Sequence, residues 1–438
     1  MIEFVSLLLG LVVGAHPVEV SLTGDASLEL RLNNRIVGEA DQPPWRFEVD
    51  FGRDLEPHEL VAIARDAEGR EIGRARQWVN LQLQAGADAT MIFSGGEPSS
   101  PRQVGLEWVS IGERQPKSIE VLFDGTPLSF DDPARIPLPD YDPDNIHLVS
   151  ATLSFHDETH SRLEATFGAG LGSTVKSELT ALAIEIDGKR KQTPKPEALQ
   201  GWFLKDGEPL TVHGVENGYA EIIVVRDPAV QEALEDTLRS LSLYNMRKSD
   251  RRRAYGNLGF KTYLRIMSPA AAPLSPTEVT PEMFMRSEAL EASERGLLWM
   301  SQRTRPQSFP LLLPNAVALA GSQAHASTRR RAVLLMLGDT PSLERDFDAA
   351  STRRYLEHLR VPLHVWSLGS KPRPEWGEVH ELPLAGDNFS RGHRRFKQLV
   401  ETLREDLDRQ RIVWLEGSHL PQSIELAPEA IGIRLAGR

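Results

Sequence analysis

Two histidines four residues apart, His156 and His160 in the run HDETH, have a spacing that suits a divalent cation when both lie on one face of a helix. The surroundings oppose that chemistry. The run sits between IHLVSATLSF and SRLEATF, whose alternating apolar residues read as the arms of a hairpin, and no third ligand stands near. A solvated turn is expected there. A second candidate is the basic cluster Arg247, Lys248, Arg251, Arg252 and Arg253 with Tyr255 beside it. It could take a phosphate or an acidic partner, but reads first as solvated loop charge. Arg329, Arg330 and Arg331 precede an apolar run and read as the exposed edge of a strand. The glycine-rich GAGLG at Gly168 to Gly172 follows strand-like sequence and leads into no helix, so it is a poor phosphate loop. With no G-x-S-x-G elbow and no paired carboxylates in a plausible pocket, the expectation is a protein that is not an enzyme.

The elements that would carry these residues follow from composition and pattern. A chain of 438 residues has room for about three domains at roughly 150 residues each. The absence of cysteine excludes disulfides, thiolate zinc sites and cysteine nucleophiles together. A formal net charge of −12 disfavours a general attraction to nucleic acid or anionic lipid, and points toward protein or small-molecule partners. No nucleic-acid partner is expected, and no integral membrane segment apart from a possible leader.

The opening MIEFVSLLLGLVVGA has an apolar run from Phe4 to Val13 followed by the small residues Gly14 and Ala15. Residues 1–15 therefore read as a signal peptide, too short to span a bilayer, which implies export to the periplasm or beyond. Glu3 stands where such a leader usually carries a positive charge, and the competing reading is a buried first strand of the next domain. From 16 to 82, short alternating segments such as VEVSL, LELRLNN and WRFEVDFG are separated by turn residues, with a hairpin at DAEGRE. A second run of the same kind covers 83–187. Two immunoglobulin-like β-sandwich modules in tandem are expected. The charged, proline-bearing GKRKQTPKP opens a linker or small β segment at 188–218.

From 219 to 438 the pattern changes to strands alternating with helices, which predicts a doubly wound, Rossmann-type α/β domain with a C-terminal β extension. Val230, Leu234, Leu238 and Leu241 mark one helix, with Asp227 as its cap and Pro228 as its first residue. Phe396, Leu399, Val400, Leu403 and Leu407 mark another.

AEIIVVRDP, LLLPNAVALA, RRRAVLLMLGDTP and VPLHVWSL, in this order, resemble the successive strand, helix and loop segments of a von Willebrand factor A domain. The whole chain resembles bacterial proteins in which a signal peptide and β modules precede such a domain. Where intact, that family's metal-ion-dependent adhesion site uses an aspartate, two serines, a threonine and a further aspartate to hold Mg²⁺. The resemblance places Asp227 and Asp339 at the two acidic positions, Ala229 and Gln231 where the serines belong, and the threonine position at Leu311. It therefore implies a degenerate site: no cofactor, or at most weak Mg²⁺, with Asp227 and Asp339 as vestigial ligands. The function it implies is a non-catalytic protein-binding or scaffolding protein of the cell envelope. The alternatives are a metal-dependent adhesion module in which Ser308 or Asn315 substitutes for the lost ligands, and a hydrolase whose site carries no known motif.

Overall fold

A computed structural model of the chain describes residues 2–6, 8, 10–22, 26–81, 88–97, 100–109, 115–145, 147–154, 160–168, 179–187, 193–218, 220–230, 262–267, 269, 285–291, 311–326, 329–344, 346–369, 371–382 and 389–437. Among these no helix is long and apolar enough to cross a membrane.

Alternation shapes the first module. The strand His58–Arg65 pairs antiparallel with Ser27–Leu32 on one side and Glu71–Val79 on the other, and Arg35–Ala40 completes a four-stranded sheet. A facing sheet contains Ile2–Phe4, Ala15–Leu22 and Arg46–Asp50. Val18, Val20, Leu28, Leu30, Val49 and Leu60 fill the space between, as inward positions of a sandwich must. The DAEGRE hairpin is present: Asp66 Oδ1 accepts from the amides of Glu68 and Arg70 at 3.1 and 2.8 Å and fixes the turn.

The residues read as a leader take part in this module. Phe4 lies opposite Val20, and the buried Val12 exchanges two hydrogen bonds with the Asn80 amide, at 2.6 and 2.7 Å. The structure thus displays the competing reading of this segment, a first strand packed into the next domain.

The second module has sheets ordered Ile136–Pro137, Gln103–Val109, Asp88–Ser94 and Thr126–Pro127, Ser118–Phe123, His147–Ser154, His160–Phe167. His147–Ser154 and His160–Phe167 form the expected hairpin in full register, from His147 opposite Phe167 to Ser154 opposite His160.

Leu179–Ile186 departs from expectation. Instead of closing the second module at 187, it pairs antiparallel with Gln410–Glu416, from Leu179 opposite Glu416 to Glu185 opposite Gln410. Val212–Glu216 and Ile433–Leu435 complete that sheet, and a smaller one joins Glu208–Pro209, Phe203–Lys205 and Ile424–Leu426. Leu182, Ile184, Phe203, Val215, Val413 and Leu415 make its core. The segment expected as a linker and the segment expected as a C-terminal extension are therefore two halves of one β unit. The boundaries 83–187, 188–218 and 219–438 shift accordingly.

Between those halves runs an open six-stranded sheet. Its strands in chain order are β1 (Ala220–Arg226), β2 (Thr262–Met267), β3 (Met285–Glu291), β4 (Arg330–Leu337), β5 (Leu363–Ser367) and β6 (Val379–Glu381). Their spatial order is β3-β2-β1-β4-β5-β6, parallel throughout except for the antiparallel edge strand β3. AEIIVVR and RRAVLLML are buried along their whole length because helices cover both faces. Helices α1 (Leu313–Ala326) and α2 (Ala349–His358) pack on Ile223, Val225, Val333 and Leu335. Helix α3 (Phe389–Arg409) lays Phe396, Leu399, Val400, Leu403 and Leu407 on Ile222, Val224, Leu334 and Met336, as its stripe predicts. Asp348 caps α2, its side chain accepting from Ser351 N at 2.6 Å. Of the helix expected after Asp227, only Val230 lies among the described residues, buried at the end of a short 3₁₀ turn, Pro228–Val230.

The units are bolted together by specific polar contacts. The first sandwich meets α2 through Leu55 N donating to Ser351 Oγ at 3.0 Å and Tyr355 Oη donating to Asn80 O at 2.6 Å. The second reaches the parallel sheet through Arg329 and Glu120 at 2.9 Å, and the third β unit through Ser150 Oγ donating to Glu216 Oε1 at 2.8 Å.

Candidate functional site

In an open parallel sheet, ligands collect at the carboxyl ends of the strands, where the loops leave it. Asp227 follows β1 at that edge and is 1% exposed. Both oxygens of its carboxylate accept hydrogen bonds. Oδ1 accepts from Ala229 N at 2.9 Å, which is the capping bond expected of it, and Oδ2 accepts from Gly338 N at 3.0 Å and Thr340 N at 3.2 Å. The Asp227 amide donates to Met336 O at 2.9 Å. One side chain thus joins the loop after β1 to the loop after β4. Three N–H donors aimed at a buried carboxylate compensate the loss of its hydration.

Asp339 occupies the same edge. Its Oδ1 accepts from Lys371 N at 3.1 Å, which brings in the loop after β5. The start of α1 arrives by backbone: Leu311 N donates to Pro341 O at 2.9 Å, and Leu343 N donates to Leu311 O at 2.8 Å. The structure therefore gathers Asp227, Asp339 and Leu311 at one end of the sheet. Asn315, in the first turn of α1, is buried, and its Oδ1 has no hydrogen-bond partner among the described residues. Ser308 lies outside the described residues, as do Gln231, His156, Arg247, Lys248, Arg251, Arg252, Arg253 and Tyr255. Among the described residues no group of three or more His, Asp or Glu side chains is placed to hold a metal ion.

Glycine allows the loops to approach so closely. A Cβ on Gly338 would sit 2.8 Å from Asp227 Oδ2 and 3.0 Å from the Ala229 Cβ, and one on Gly369 would sit 2.5 Å from Asp339 Oδ1. Gly338→Ala is expected to push the Asp227 carboxylate off its amide partners and destabilise the protein by about 1–3 kcal/mol. Urea denaturation of the full chain measures this, and an unchanged midpoint would refute the packing described.

The reading of Arg329, Arg330 and Arg331 as an exposed edge is corrected: Arg329 is half-buried against Glu120, and the other two are buried. Arg330 is buried, with Nε donating to Gly218 O and Nη1 to Leu407 O, both at 2.8 Å. Arg331 is fully buried, donating to the carbonyls of His325 at 3.2 Å and Leu359 at 3.3 Å. A strand start beside two helix ends exposes carbonyl groups, and guanidinium forks satisfy several at once.

Sequence reasoning also missed a cavity of about 490 Å³ near the start of β5. Its walls come from α2, α3, β5, β6 and the third β unit, including Glu185 and Arg434. Its polar residues are scattered singly through HVWS, EVHE and EDLDR, so no local motif marks them.

No family model and no curated protein matches the sequence. Several solved structures align with parts of the chain at low similarity. The fibronectin(III)-like modules of Clostridium thermocellum CbhA match 40% of this chain and 98% of their own at 12% identity, with a TM-score of 0.16. The central fibronectin-III array of RIM-binding protein matches 44% of this chain and 80% of its own at 11% identity, with a TM-score of 0.20. The human COPII-coat protein Sec24c matches 44% of this chain and 32% of its own at 10% identity, with a TM-score of 0.27. The strand pairing by itself divides the described residues into β-sandwich-like modules in the N-terminal part of the chain and a parallel sheet in the C-terminal part.

Proposed function

We propose that residues 219–409 form a von Willebrand factor A-like unit whose adhesion metal has been replaced by a carboxylate staple. On this reading the whole chain is a non-catalytic protein-binding or scaffolding protein of the cell envelope. The observation that carries the reading is the Asp227 carboxylate, whose two oxygens accept from the Ala229, Gly338 and Thr340 amides at the position the family resemblance gives to a metal ligand. The strand order β3-β2-β1-β4-β5-β6 with an antiparallel β3 supports the same assignment. Binding to a protein partner would rest on apolar and charged surface contacts without a bridging ion. The first sandwich contacts α2 through Asn80 and Ser351, and the second contacts Arg329, just before β4, through Glu120.

Affinity capture from envelope extracts with the full chain, run in parallel with Mg²⁺ and with a chelator, tests this reading. The expected result is one recurrent protein partner retained equally under both conditions. Repeated capture of none would remove the main support for it. A partner lost in chelator would favour the alternative, a metal-dependent adhesion module built on Asp227 and Asp339, for which the unpartnered buried Asn315 Oδ1 is the specific supporting observation. Export rests only on the leader reading of residues 1–15, which competes with the packed arrangement of Phe4 and Val12, and it has its own test. N-terminal sequencing of the protein from fractionated cells is expected to place it in the periplasm or medium, and recovery in the cytoplasm alone would contradict it.

A further inference from the structure

The first sandwich docks on α2 through one short segment of its chain. Leu55 lies in the same apolar core as Leu356 of α2, and its amide donates to Ser351 Oγ at 3.0 Å. Pro57 O accepts from Gln422 Nε2 at 2.8 Å, and Asp54 pairs with Arg354 at 2.5 Å. His58 follows directly and is buried, 5% exposed. This interface is independent of the loop edge that carries Asp227.

Hydrogen bonding fixes the protonation state of His58. Glu59 N donates to Asn33 Oδ1 at 2.9 Å, so the same amide turns its NH₂ group toward His58 Nδ1, also at 2.9 Å. An NH₂ group can only donate, and Nδ1 accepts only while it carries no proton. Protonation at Nδ1 would set two donors face to face. Turning the Asn33 amide over to accept from an imidazolium would instead take the acceptor away from Glu59 N. Either way a hydrogen bond is lost and a charge is left where little water can reach it.

The charges facing this ring come from both sides of the interface. Burial is the main reason that His58 holds its pKa below the usual value; Glu56 and the nearby Phe51 carbonyl favour a proton there, and His358 at the end of α2 opposes one. Burial lowers His358 as well, aided by Arg360 and Arg354 and opposed by Glu56 and Glu357. Separation of the sandwich from α2 would take His358 away from His58 and let water reach the ring, so the separated form binds the proton more readily. Docking is therefore strongest above the ordinary histidine pKa of about 6.5 and weakens as pH falls below it.

We propose that His58 makes the contact between the first sandwich and α2 an acid-sensitive joint, which releases the sandwich below about pH 6 while each unit keeps its fold. Asn33 is the positioning residue that holds the imidazole neutral in the docked form.

The chain has no cysteine, so Ala67→Cys in the DAEGRE turn and Glu405→Cys on α3, both at exposed positions, give the full chain two sites for a donor and an acceptor dye. Energy transfer between them is followed from pH 8 to pH 4 alongside far-ultraviolet circular dichroism. The transfer is expected to change below about pH 6.5 while the dichroism stays constant. His58→Gln keeps an acceptor for the Asn33 amide but takes no proton in this range, and is expected to abolish the change. Should that variant fail to fold, Asn33→Asp at an exposed turn position supplies the second arm. Its carboxylate can accept from Glu59 N and from a protonated His58 Nδ1 together, which is expected to move the change toward acid by about one pH unit or more. Three results would overturn the proposal: no change in transfer, a change that occurs only together with loss of the dichroism, or a change at the wild-type pH in both variants.

Discussion

Asp227→Ala is expected to destabilise the parallel-sheet unit by roughly 3 kcal/mol or more, because three buried amides lose their acceptor at about 1–3 kcal/mol for each orphaned donor. The donors are Ala229, Gly338 and Thr340, and the site around the 1% exposed aspartate admits little water to replace it. Asp227→Asn retains one oxygen but turns an NH₂ group toward at least one of the same donors, so it should fall between wild type and the alanine variant. Asp339→Ala removes the acceptor of the Lys371 amide, and Lys371 is exposed, so its loss should be much smaller. Urea unfolding followed by near-ultraviolet circular dichroism gives the ranking. Equal midpoints for Asp227→Ala and Asp339→Ala would show that the carboxylate does not hold the loops.

Acid is expected to destabilise the protein steeply below about pH 6.5, well before its carboxylates protonate. His325 at the end of α1 is buried, with Nδ1 3.0 Å from Leu359 O and 3.2 Å from Arg331 Nη2. Burial first, and then the neighbouring guanidinium, push its pKa down from 6.5 to about 3. The unfolded chain therefore binds a proton near pH 6.5 that the folded chain refuses until about pH 3. Stability is fully present above the unfolded pKa and falls as pH drops through that window. The shift corresponds to a loss on the order of 5 kcal/mol across the window. His58, His213, His358, His364 and His419 are also lowered, chiefly by burial, and act in the same direction. Urea midpoints between pH 8 and pH 4 test this. A flat profile would contradict it, and a His325→Leu variant should flatten part of the slope.

The legible parts of the sequence were those set by local pattern. DAEGRE closes a hairpin because Asp66 can fold back on its own amides, and the stripe from Phe396 to Leu407 lies on the sheet because 3.6-residue spacing leaves it one apolar face. LTALAIEI looks the same whichever strand it joins. Its partner QRIVWLE lies more than two hundred residues away, and that pairing moved the module boundaries. Asp227 and Asp339 were legible as a pair through the family resemblance and Asp227 as a cap through Pro228, but not the bonds to Gly338 and Thr340, which depend on two loops meeting. Arg331 read as surface because arginine usually is, and its burial follows from carbonyl groups supplied by α1 and by the turn after α2.

The most direct measurement is a thermal melt of the full chain in millimolar Mg²⁺, in millimolar Mn²⁺ and in chelator, since an ion bound only by the folded protein must raise the midpoint. With Asp227 committed to three amides, superimposable curves are expected. A chelator-reversible rise that disappears in Asp227→Asn would contradict the staple and establish a working metal site.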